Sequence, residues 1–174
     1  SVRPAEGEVS KEKEKLIYIS LGTVINDNEK FFKNCIKAFE DTDYQVVMSV
    51  GNLVDTDKLG EIPENITVCE HVDQIAVLQK ADAFLSHCGM NSVNESLYYE
   101  VPLVTYPQTS EQGGVATRVE MLGAGKRLEK ATPQAIREAV EEVLRTPSYT
   151  KCAKEISEGF KSCSGAKGAA DKIM

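Results

Sequence analysis

The sequence has no tryptophan, only two histidines, and five cysteines in no paired spacing. Cys35, Cys69, Cys88, Cys152 and Cys163 form neither a C-x-x-C pair nor a zinc-ligand pattern, which argues against a disulfide framework and a structural zinc site. An odd set of scattered thiols fits a reducing compartment, so a cytoplasmic location is expected. No apolar run approaches the roughly 20 residues of a membrane span, and the N-terminus has no apolar signal core, so no membrane insertion is expected. Positive charge is also scarce: 20 Lys and Arg against 27 Asp and Glu leave a net charge of −7. That balance speaks against nucleic acid and anionic membrane surfaces as partners. No G-x-G-x-x-G follows the first apolar segment, so the dinucleotide fingerprint is missing. Gly125-Lys126 is no P-loop either, with Glu120 where the first glycine belongs and Arg127 where Ser or Thr belongs.

What is present is the material of one globular domain. A chain of 174 residues, 41% of them hydrophobic, buries roughly 70% of its unfolded surface and needs no staples. Residues 1–15 contain Pro4, Gly7 and dense charge and read as a linker or exposed lead-in, with the domain proper at 16–174. From Leu16 onward, short apolar runs at 16–21, 45–50, 67–69, 83–86 and 103–106 alternate with longer amphipathic segments. The fold class this rhythm predicts is α/β, a doubly wound parallel sheet with helices on both faces. Phe32, Cys35, Ile36 and Phe39 share one helical face, as do Ile136, Val140, Val143 and Leu144. Thr132 is the expected N-cap of the second helix, Pro133 its first residue and Pro147 its stop.

In such a sheet a ligand sits beyond the carboxyl ends of the strands, where strand order reverses. If the five strands follow the order 3-2-1-4-5, the loops after the first and fourth meet there. These loops are Ser20-Leu21-Gly22-Thr23 and Ser86-His87-Cys88-Gly89-Met90-Asn91-Ser92. The second opens into a helix expected at 92–99, whose first-turn N–H groups and positive dipole end attract phosphate. His87, Asn91 and Ser92 could add donors. Equally, Ser92 could be an ordinary N-cap, with Glu95 completing an S-x-x-E capping box. Cys88 lies near a helix start, where thiol pKa values fall, but no histidine base follows it, and a small loop residue is its expected role. His71 and His87 lie apart from any cluster at ligand spacing, so no metal is expected.

The motifs within 69–125 resemble the nucleotide-sugar signature of the family 1, UDP-sugar-dependent glycosyltransferases, and within them the bacterial macrolide-glycosyltransferase branch. The matching residues are Val72 and Gln74 as V-x-Q, His87 to Ser92 as H-x-G-x-N-S, Glu95, Val101-Pro102, and the pair Glu111-Gln112. The resemblance implies a Rossmann-like domain, the C-terminal donor-binding half of a two-domain glycosyltransferase B fold. It implies that Gly22, Thr23, His87, Gly89, Asn91 and Ser92 surround the diphosphate. His71, Val72 and Gln74 would meet the uracil, Glu95 the ribose hydroxyls, and Glu111 with Gln112 the transferred sugar.

The resemblance further implies an inverting transfer of a hexose from a UDP-sugar to an acceptor hydroxyl, with no cofactor and no metal. The catalytic base of the family is a histidine of the N-terminal, acceptor-binding domain, so no catalytic residue is expected in this chain and the piece alone is expected to be inactive. An alternative expectation is a free-standing nucleotide-sugar-binding subunit, active only with a separate acceptor subunit. Four positions depart from the family pattern: His71 stands for an aromatic, Asp73 for proline, Glu100 for glycine and Thr117 for asparagine.

Overall fold

The computed structural model describes residues 2–3, 9–22 and 28–164. Its strands are β1 (Val2–Arg3), β2 (Leu16–Ser20), β3 (Gln45–Ser49), β4 (Ile66–Cys69), β5 (Ala83–Ser86), β6 (Leu103–Thr105) and β7 (Gly125–Arg127). Its helices are α1 (Glu29–Phe39), α2 (Gln74–Leu78), α3 (Met90–Tyr98), α4 (Ser110–Met121), α5 (Pro133–Arg145) and α6 (Pro147–Ser164). All pairings are parallel, in the order β1-β4-β3-β2-β5-β6-β7. The five predicted strands thus stand in the expected order, with the first and fourth adjacent at the centre.

Both faces of the sheet are covered, which is why the run LIYIS is apolar without alternation. Ile17 and Ile19 pack with Phe32, Phe39, Ile136 and Val140, the faces of α1 and α5. Leu16 and Tyr18 point the other way, into a layer with Phe84, Val93, Leu97, Val115 and Val119, the faces of α3 and α4. The helical spacing read from the sequence is realised: Phe32, Cys35, Ile36 and Phe39 are buried in α1, and Ile136, Val140 and Val143 in α5. Thr132 caps α5, its Oγ1 accepting from the Ala135 amide at 3.2 Å, with Pro133 at the first position. Pro147 both ends that helix and starts α6.

Two strands were not legible as strands. β7 reads GKR, too short and polar to register as an apolar run, and it occupies the edge, where charged side chains are common. β1 lies inside the charged lead-in and pairs with β4 at Val2↔Val68 and Arg3↔Cys69. The rest of the described lead-in is held at the amino ends of the central strands. The Gln45 side chain accepts from the Glu12 amide and donates to the Ser10 carbonyl, both at 2.7 Å. Asp82 accepts from the Leu16 amide and pairs with Lys11, both at 2.9 Å.

The end of α3 shows what one departure from the family pattern costs. Val101 N donates to Ser96 O at 2.8 Å across Glu100, which holds a left-handed φ of 66°. This is the helix-stop geometry that glycine adopts freely and a side chain adopts at a cost. Glu100→Gly is therefore expected to raise stability by roughly 0.5–1 kcal/mol, the left-handed penalty less the added freedom of the unfolded chain. Urea denaturation checks this, and an unchanged or lower midpoint would contradict it.

Candidate functional site

β2 and β5 run side by side and end together, with Ser20 opposite Ser86. Each serine turns its hydroxyl back on its own loop: Ser20 Oγ accepts from the Gly22 amide at 3.2 Å and Ser86 Oγ from the Cys88 amide at 3.0 Å. Both loops then pass through left-handed backbone, Gly22 at φ 69° and Cys88 at φ 69°. These turns bring Gly22, His87 and Gly89 into contact. A Cβ on Gly22 would lie 2.6 Å from His87 Cε1, and one on Gly89 2.8 Å from Nε2. The imidazole occupies the space that two missing side chains leave, a close-approach role that only glycine fills.

His87 is half-buried, and burial holds its pKa below the ordinary 6.5, with the Ser20 backbone opposing the shift in part. Its Nδ1 is fully buried and, among the described residues, has no well-formed hydrogen-bond partner. The ring is thus a neutral imidazole near pH 7. Cys88 is buried within the layer beneath, and desolvation pushes its thiol up to about 12. Proximity to a helix start does not activate it, because burial dominates.

The helix that follows begins earlier than expected. Gly89 is its N-cap, in extended conformation at φ −64° and ψ 139°, and α3 runs from Met90. Gly89 has no side chain, so the first-turn amides receive no side-chain cap and face the crevice with the positive end of the dipole. Ser92 is then the third helical residue, and the capping-box reading is overturned. Instead, Ser92 and Glu95 hold the first residue of α2. Gln74 Nε2 donates to Ser92 Oγ at 3.2 Å and to Glu95 Oε1 at 2.8 Å, while Gln74 Oε1 accepts from the Tyr18 hydroxyl at 3.0 Å. Asp73, the departure from proline, is the N-cap of α2 and accepts from the Ala76 amide at 3.2 Å.

Gly22, His87 and Gly89 thus meet beyond the ends of β2 and β5, Gln74, Ser92 and Glu95 are joined by hydrogen bonds along α3, and Asn91 is exposed on the first turn of α3. His71 and Val72 precede α2 as exposed and half-buried residues. Glu111 and Gln112 lie on the first turn of α4, after the β6 loop, which is tied to β5 by Tyr106 N donating to Ser86 O at 2.7 Å. The Gln112 carbonyl oxygen turns back to accept from the Gln108 amide at 2.8 Å, and Glu111 is exposed. Thr23 lies outside the described residues. Tyr18 was not singled out from the sequence, although a tyrosine in a buried strand signals that its hydroxyl needs a partner.

Residues 5–162 match the family model described as UDP-glucoronosyl and UDP-glucosyl transferase. The chain is 40% identical over 163 residues to YojK of Bacillus subtilis, named an uncharacterized UDP-glucosyltransferase, covering 92% of this chain and 40% of that relative. It is 31% identical to the oleandomycin glycosyltransferase of Streptomyces antibioticus, covering 92% of this chain and 38% of the relative. Among solved structures, the calicheamicin glycosyltransferase CalG4 superposes with a TM-score of 0.82 at 34% identity, over 90% of this chain and 42% of the other. The chain therefore spans well under half the length of the curated relatives it matches.

The lowered pKa of His87 has a thermodynamic consequence. Well above pH 6.5 the imidazole is neutral both folded and unfolded, and it contributes no pH dependence there. As pH falls below 6.5 the unfolded chain takes up the proton first, so stability is lost down to the folded pKa. Wild type is expected to lose stability relative to His87→Gln as pH drops from about 8 through 6.5 and below, in denaturation series at matched pH. A constant difference across that range would contradict the assignment.

Proposed function

The chain belongs to the UDP-glucoronosyl and UDP-glucosyl transferase family, and on that premise we propose that it binds the nucleotide-sugar donor of a UDP-dependent glycosyltransferase. The observation that carries the reading is the uncapped start of α3 beside His87, which Gly22 and Gly89 let into the crevice. A diphosphate there meets backbone N–H groups, the helix dipole and an imidazole N–H, with Asn91 and Ser92 beside them. Glu95 accepts from the ribose hydroxyls, Val72, His71 and Gln74 lie on the uracil side, and Glu111 with Gln112 hold hydroxyls of the hexose.

The reaction is a direct displacement. The acceptor oxygen forms a bond to the anomeric carbon, the bond from that carbon to the diphosphate oxygen breaks, and UDP departs with the electron pair. Negative charge grows on the diphosphate as it leaves, so fixed donors at that point stabilise the transition state more than the ground state. No metal is needed where helix amides and His87 meet that charge. The acceptor proton passes to a base on an acceptor-binding domain, the partner this reading requires. A cytoplasmic location belongs to the same proposal, supported by the scattered cysteines.

Calorimetric titration tests the assignment. UDP is expected to bind with unchanged affinity in EDTA, and loss on chelation would overturn the metal-free reading. His87→Ala is expected to weaken UDP by roughly 1.5–3 kcal/mol while barely affecting uridine, because only the diphosphate loses a charge-assisted partner. Equal losses for both ligands would remove His87 from the phosphates. Glu95→Ala is expected to abolish a preference of about tenfold or more for UDP over 2′-deoxy-UDP. A mutant that keeps this preference would leave Glu95 with only its hydrogen bond from Gln74.

A further inference from the structure

Tyr18 sits in the middle of β2, between Ile17 and Ile19, and is only 1% exposed. Its ring stacks on Phe84 at 4.6 Å between centroids, in a layer where phenylalanine would fill the same volume. A hydroxyl in that place is costly without a partner; it donates to the Gln74 amide oxygen at 3.0 Å, with the Ser20 and Ser49 side chains also close to it.

The orientation of that amide follows from its other neighbour. Glu95 Oε1 lies 2.8 Å from the far end of Gln74, and a carboxylate only accepts. The Gln74 nitrogen must therefore face Glu95, its oxygen must face Tyr18, and the Tyr18 hydroxyl must donate. Burial pushes the Tyr18 phenol well above its ordinary range, which keeps the donor protonated. Both Gln74 N–H groups are then committed, one to Ser92 and one to Glu95. Glu95 Oε1 is held, and among the described residues no hydrogen bond reaches Oε2.

We propose that Tyr18 is a positioning residue for the ribose site, its hydroxyl fixing the Gln74 amide so that Gln74 holds Glu95 ready to accept from the ribose diol. The inference rests on the assignment of Glu95 to the ribose made above. A glutamate side chain on a helix surface samples several rotamers, and ordering it on binding costs affinity. The relay from Tyr18 through Gln74 meets that cost in the unliganded protein. Without the hydroxyl, the Gln74 oxygen loses its donor and the side chain its anchor on the β2 side, so Gln74 and the Glu95 carboxylate bound to it are free to leave that pose.

The test compares UDP with 2′-deoxy-UDP by calorimetry on wild type, Tyr18→Phe, Gln74→Met and the double variant. Wild type is expected to prefer UDP by about tenfold or more. Tyr18→Phe is expected to cut that preference to about threefold or less by weakening UDP, with 2′-deoxy-UDP held within about twofold, since only the ribose acceptor is lost. Gln74→Met breaks the relay on its half-buried side and carries the test if Tyr18→Phe does not fold; because Gln74 also lies on the uracil side it is read by the ratio of UDP to 2′-deoxy-UDP affinity, which is expected to fall to the same threefold or less, with nothing further in the double variant. A full wild-type preference in either single variant would overturn the relay, as would parallel weakening of both ligands in Tyr18→Phe, the mark of a merely structural role. A wild type that shows no preference would remove the ribose assignment of Glu95, and the relay with it. Retained preference in the variants removes the relay alone.

Discussion

The parallel register that sets Ser20 opposite Ser86 is the constraint on which the crevice depends. It ends β2 and β5 at one level, so their two loops turn out of the sheet together and bring Gly22 against His87. The same register decides which side chains face α3. Leu16 and Tyr18 belong to one face and Ile17 and Ile19 to the other. A slip of one residue would exchange the faces, turning the Tyr18 hydroxyl away from Gln74 and toward the apolar faces of α1 and α5. Fold and site are therefore specified by one pairing, and the apolar layers on both sides of the sheet hold it.

An acidic chain with a net charge of −7 can present an anion site because the field there is local. Beyond a Debye length of roughly 8–10 Å, exposed charges are largely screened, whereas the free amides at the start of α3 act at hydrogen-bond distance. Glycine makes the approach feasible at two points, Gly22 and Gly89, where a Cβ would press on the imidazole. His87 itself is kept neutral by burial. In the proposed site its contribution is thus a directed hydrogen bond, and the positive field that of the helix.

Much of this was legible in the sequence for identifiable reasons. The parallel α/β class followed from the alternation of apolar runs with amphipathic segments; the strand order is the common one for that class, and with it two small-residue loops meet at the ends of the first and fourth strands. The left-handed stop at Glu100 was signalled only by the resemblance, which expects glycine at that position. The start of α3 was not legible. Ser92 with Glu95 makes a capping-box pattern, but the left-handed turn at Cys88 and the extended Gly89 start the helix two residues sooner. Ser92 and Glu95 are then released to take Gln74, a residue 18 positions from Ser92 and 21 from Glu95. Such a contact follows from tertiary packing, which no local spacing encodes. Tyr18 was hidden in the same way, by a partner 56 residues away, and β7 was hidden by its polar side chains.

The central claim is that a nucleoside diphosphate occupies the crevice between the β2 and β5 loops. Titration of the isotope-labelled chain with UDP, followed through its backbone amide resonances, tests this directly. The largest shifts are expected at Gly22, at residues 89–92 and at Glu95, with little change in the charged groove formed by Lys126, Arg127 and Lys130 beside α5. Shifts centred on that groove, with the amides at the start of α3 unmoved, would contradict the account.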